Sequence, residues 1–71
     1  MDRYLFVVCS QGFPISLHFY SGSDNVLAAA AQCLDSRIRM ASVKPGPMPD
    51  FSCQVWQYIT HDEMKKLITV F

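Results

Sequence analysis

The stretch Arg3-Tyr4-Leu5-Phe6-Val7-Val8-Cys9-Ser10 decides the fold. It is rich in aromatic and β-branched residues and shows no polar alternation, the pattern of a strand buried on both faces. Such a strand belongs inside a sheet, so 3–10 is the expected central strand. After Ser10-Gln11-Gly12, the run Phe13-Pro14-Ile15-Ser16-Leu17-His18-Phe19-Tyr20 alternates, with Phe13, Ile15, Leu17 and Phe19 on one side and Ser16, His18 and Tyr20 on the other. A hairpin partner is expected here, its four apolar side chains on the core face and His18 and Tyr20 facing away. Pro14 has no N–H to give to a ladder, which suits an edge strand.

Downstream, Ser21-Gly22-Ser23-Asp24 is a dense helix-start signal, because its hydroxyls and carboxylate can accept from free backbone amides. The spacing predicts a helix to about Ala41 with a stripe of Leu27, Ala30, Ala31, Leu34, Ile38 and Ala41. The alanines at 28–31 favour helix and allow close approach to a sheet. Lys44-Pro45-Gly46-Pro47-Met48-Pro49 then reads as a rigid loop. Residues 50–59 alternate, with Phe51, Cys53, Val55 and Ile59 on one side and Ser52, Gln54, Trp56 and Tyr58 on the other. Thr60 and Glu63 match a T-x-x-E capping box. Met64, Leu67, Ile68 and Phe71 then follow helical spacing, predicting a second, short amphipathic helix with Lys65 and Lys66 on its solvated back. In that setting Asp62 and Glu63 oppose the positive end of the helix dipole.

The expected order is ββαβα, an α+β fold in one domain spanning 1–71. A right-handed crossover skipping one position sets the third strand beside the first. The sheet is then three-stranded and mainly antiparallel, in order 2-1-3, with both helices on one face. The opposite face carries His18, Tyr20, Trp56 and Tyr58, flanking either Tyr4, Phe6 and Val8 or Leu5, Val7 and Cys9. Met64, Leu67, Ile68 and Phe71 form a second candidate surface for docking or dimerisation, since a terminal helix frays unless its apolar face is packed.

Composition narrows the classes. The chain is 51% hydrophobic and 17% charged, which excludes disorder and leaves apolar surface in excess of a small core. A 71-residue chain has little interior, and oligomerisation or a bound partner is an expected source of stability. Six basic residues balance six acidic ones, so no net field draws a polyphosphate and no acidic coat mimics one. Cys9, Cys33 and Cys53, without CxxC or CxxH spacing, read as buried free thiols in a reducing cytoplasm. The run at 4–9 is too short for a signal peptide, and no stretch is long enough to span a bilayer. The three glycines form no nucleotide loop. His61-Asp62-Glu63 lacks metal-ligand spacing, and no cofactor or metal is expected.

Three classes of function follow. The ring-bearing face His18, Tyr20, Trp56 and Tyr58 suits a protein contact, with a homodimer as the expected assembly, because Trp and Tyr dominate interface energetics. A nucleic-acid-associated domain is the alternative, using Arg37, Arg39, Lys44, Lys65 and Lys66 as a local basic patch. The third is a thiol or His enzyme, with His18 as its base. In size and element order, and in Gly22-Ser23-Asp24 leading into the Ala28–Ala31 helix after a hairpin, the chain resembles small phage-encoded inhibitor proteins of the anti-CRISPR type. That resemblance implies a non-enzymatic protein that blocks a host complex by occupying a surface, in the host cytoplasm. It carries over no binding residue.

Overall fold

Two β-hairpins linked by one helix build a four-stranded antiparallel sheet in a computed structural model that describes residues 2–22, 25–43, 45–47 and 49–71. The elements are β1 (Arg3–Ser10), β2 (Phe13–Ser21), α1 (Val26–Ser42), β3 (Phe51–Tyr58) and β4 (Met64–Val70). The sheet order is β2-β1-β3-β4. The α+β class and the 2-1-3 core of the sheet are as the sequence predicts. A fourth strand replaces the expected second helix, so the sheet is not three-stranded and α1 alone covers it.

β1 is buried along Tyr4–Cys9, as its unbroken apolar run requires. Alternate residues go to opposite sides. Tyr4, Phe6 and Val8 join Cys53 and Val55 of β3 beneath Ala30 and Leu34 of α1. Leu5, Val7 and Cys9 join Trp56 and Tyr58 on the side away from the helix. Ala30 is fully buried, and its lack of bulk is what lets α1 lie close on Val8 and Val55. The packed stripe of α1 also includes Val26, Ala29, Cys33 and Ile38. Leu27 is instead 55% exposed and Ala31 is exposed, because the helix is rotated from the expected stripe so that Ala29 and Cys33 face the sheet. Of the thiols, Cys9 and Cys53 are buried, whereas Cys33 is only partly so.

α1 starts from Asn25, whose φ of 54° is left-handed and whose side chain makes no capping bond. The expected capping residues Ser23 and Asp24 lie outside the described residues, as do Lys44 and Met48. An Asp35–Arg39 ion pair of 3.0 Å spans one turn of the helix.

The segment expected to open the second helix is a hairpin turn. The Ile59 N–H donates to the Glu63 carbonyl at 2.9 Å, and the Glu63 N–H donates to the Thr60 carbonyl at 3.3 Å. Thr60 Oγ1 accepts from the Asp62 N–H at 3.3 Å, so the hydroxyl that looked like a helix cap closes a turn instead. Asp62 therefore faces no helix dipole; its carboxylate sits 3.2 Å from His61 Nε2 in solvent. Residues 64–70 fit a strand as well as a helix, since Ile68, Thr69 and Val70 are β-branched. The free edge of β3 settles the choice: Cys53 pairs with Val70, Val55 with Ile68 and Tyr58 with Met64.

The decisive detail lies in the first hairpin. Gln11 and Gly12 both have positive φ, 52° and 86°, the pattern of a tight type I′ turn. Ser10 pairs with Phe13 and Cys9 with Pro14, but Val8 pairs with Ser16, so Ile15 is an extra residue in β2. Pro14 cannot donate to the ladder and is accommodated at this bulge. One added residue reverses the strand's facing. Without it, Ile15, Leu17 and Phe19 would oppose Val8, Phe6 and Tyr4 on the helix side; with it, Leu17 pairs with Val7 and Phe19 with Leu5.

Candidate functional site

The bulge in β2 and the phase of β3 together create one broad apolar face opposite the helix. Its floor is Leu5, Val7 and Cys9, each no more than 9% exposed. Trp56 and Tyr58 pack against that floor from β3. From β2, Leu17 and Phe19 stand beside it at 59% and 75% exposure, with Ile15 less exposed at the bulge. Met64 extends the face on β4 opposite Tyr58. Gln54 and Thr69, paired across β3 and β4, continue the row of Leu17 and Val7 and make its other half polar.

Trp56 is settled internally. Its indole N–H donates to Gln54 Oε1 at 3.0 Å, so its polar atom is satisfied from within the same strand. The ring then presents only apolar surface. Two basic residues share the phase of this face. Arg3 lies at the start of β1 opposite Ser21, and Lys66 lies on the edge strand opposite Trp56.

The sequence-based candidates divide. Trp56 and Tyr58 lie on the open face as expected. His18 and Tyr20 do not, because the β2 bulge sends them to the helix side, where Tyr20 stacks on Phe6 with ring centres 5.4 Å apart and tilts against Tyr4 at 6.3 Å. His18 pairs across from Phe6 and its Nε2 lies 3.2 Å from Ser16 Oγ in solvent. The group Met64, Leu67, Ile68 and Phe71 shares no single face either: Ile68 opposes Val55 on the helix side, and Phe71, past the strand end, is 90% exposed. Leu5, Val7, Leu17 and Phe19 are the members that sequence reading missed. Pro14, which marked the bulge, was the available signal.

The basic patch is not assembled. Lys65 lies opposite Gln57, in the row of Tyr4 and at the end of the sheet where α1 begins. Arg37 and Arg39 occupy the C-terminal half of α1, and Arg39 is paired with Asp35.

The chemistry-bearing groups are quiet. Burial pushes the Cys53 thiol up to about 11, with neighbouring Cys33 and Cys9 adding to it, and burial also raises Cys33. Both are protonated at neutral pH, the unreactive form of a thiol. A cleft of about 610 Å³ at the Tyr4 end of the sheet is lined by Arg3, Phe19, Tyr20, Tyr58 and His61, among others. The neighbouring Asp2 carboxylate accepts a hydrogen bond from Tyr4, whose phenol is raised chiefly by burial and further by that carboxylate. Among the described residues no three His, Cys, Asp or Glu side chains converge to hold a metal ion. Nor is any helix among them long and apolar enough to cross a membrane. No protein-family model, curated protein or solved structure matches the chain.

Proposed function

We propose that this chain is a non-enzymatic interaction protein that works by occupying a protein surface, with the open sheet face as its working surface. The observation that carries the reading is the continuous apolar face of Leu5, Val7, Leu17, Phe19, Trp56 and Tyr58 on the side of the sheet that α1 leaves uncovered. Exposed apolar patches of several hundred Å² on small proteins mark contact sites, and Trp, Tyr and Phe are the residues that anchor them. An inhibitor of a host complex, of the phage-encoded anti-CRISPR kind, is the specific form of this reading. The separation of Lys65 and Lys66 from Arg37 and Arg39 weighs against a nucleic-acid surface, and the raised thiols weigh against thiolate chemistry.

The test is capture from host lysate with the purified protein as bait, alongside Trp56→Ala and Leu17→Lys. Selective recovery of a protein that both substitutions abolish, in a manner insensitive to salt, is the expected outcome. Recovery of nucleic acid with a steep salt dependence would overturn the reading.

A further inference from the structure

We infer that the occupant of the open face is a second copy of this chain, packed sheet against sheet with the two helices outermost. This rests on the reading of that face as a protein-contact surface and names its partner in the free protein, with which a host complex would compete for the same face.

Charge is the first argument. A twofold interface sets the residues near its axis against their own counterparts, so a self-associating face must keep like charges from its centre. Here the middle of the two inner strands, Leu5, Val7, Gln54 and Trp56, is uncharged, while Arg3 sits at the start of β1 and Lys66 on the edge strand β4. Neither cation lies among these central residues, so two copies close there without setting like charges against each other. The Trp56 ring is also satisfied in advance. With the Trp56 N–H held by Gln54, closing two such faces together strands no indole donor.

Area is the second argument. Strands of about eight residues rising roughly 3.3 Å each, four abreast at about 4.8 Å, give a flat footprint near 500 Å² per copy. Two copies bury about 1,000 Å² before side-chain relief is counted, the size at which interfaces become specific. Flat sheet faces pack about 10 Å apart when their side chains interdigitate, and the protruding Leu17 and Phe19, set beside the recessed Leu5 and Val7, supply that relief. The anchors are Leu17 and Phe19, which are the most exposed apolar side chains of the face and stand to lose the most water-accessible surface.

Sedimentation velocity of the full chain across the micromolar range, read together with Trp56 emission, tests this. The expected mass is twice 8.1 kDa, with emission shifting to the blue as the dimer fills. Leu17→Lys and Phe19→Lys each weaken the dimer about thirty-fold or more, whereas Met40→Lys, on the exposed side of α1, leaves it intact. Circular dichroism confirms that each variant is folded, and the two independent positions guard against one failing to fold. A wild-type monomer throughout this range, or a dimer that persists in both lysine variants, overturns the inference. A monomer that still captures a different protein in a Leu17-dependent way overturns the second copy alone. A monomer that captures none overturns the underlying reading as well.

Discussion

The two faces of the sheet draw on the same inner strands and end in opposite states. Toward α1, β1 and β3 present Phe6, Val8, Cys53 and Val55, all 1% exposed or less, roofed by Ala30 and Leu34. Away from it, the same strands present Leu5, Val7 and Cys9, roofed by two ring-bearing side chains of the sheet itself. The covered face is closed by an element of secondary structure, whereas the open one is shielded by Trp56 and Tyr58, with Leu17 and Phe19 left standing in water. Apolar content alone does not say which face carries the fold. What differs is whether a helix can lie down, and only one side has the small Ala30 contact that permits it.

The largest expected effect separates the faces by stability. Phe6→Ala should cost about 3–5 kcal/mol, enough to leave a chain of this size largely unfolded, as followed by urea denaturation. Leu5→Ala, one residue away but on the open side, should cost about 2 kcal/mol and keep a cooperative transition. Equal losses at the two positions would break the distinction.

Next in size is a pH effect confined to the covered face. The folded state holds the Cys53 proton more tightly than the unfolded chain, so this contribution to stability is complete below about pH 9 and lost as pH rises toward 11. The loss should be on the order of 1–2 kcal/mol, and Cys53→Ala should flatten the slope in that window. Gln54→Ala follows at about 1 kcal/mol, since it strips the Trp56 indole of its partner; a red-shifted Trp emission would accompany it. The smallest effect is the most telling: Leu17→Lys should change folding stability by no more than about 0.5 kcal/mol while removing self-association. If it also unfolds the chain, the open face carries the fold as well and the contrast fails.

Much of the architecture was legible in the sequence. The unbroken apolar run of β1 marks it as an inner strand, and the alternation of β3 gives its sealed side; the expected order puts β3 at an edge, and it lies inside only because β4 pairs with it. β2 was recognised as a strand, and as an edge, from its alternation and Pro14. Its facing was not legible, because period-two alternation is the same whichever way a strand is turned, and the pairing count that turns it depends on a bulge. That is why Trp56 and Tyr58 were placed rightly and His18 and Tyr20 were not. Residues 60–71 misled for a different reason. Met64, Leu67, Ile68 and Phe71 satisfy helical spacing while Ile68, Thr69 and Val70 favour a strand, and the free edge of β3, which no local pattern records, decides between them.

The bulge at Pro14–Ile15 also sets how this chain tolerates gain or loss of residues. Removing one residue at the bulge leaves Val8 paired with Ser16 and every pairing beyond it in phase, so the open face survives the deletion. Removing Ser16 instead gives a chain of the same length that carries Ile in place of Ser opposite Val8 and still sets Leu17 opposite Val7, so it too keeps the strand's facing. Both single-codon deletions should therefore yield a protein whose open face is unchanged, because the bulge holds the one residue the ladder can spare. Along this edge the chain carries one backbone unit more than its pairing needs, and heredity can take that unit away without changing a single Leu or Phe of the open face.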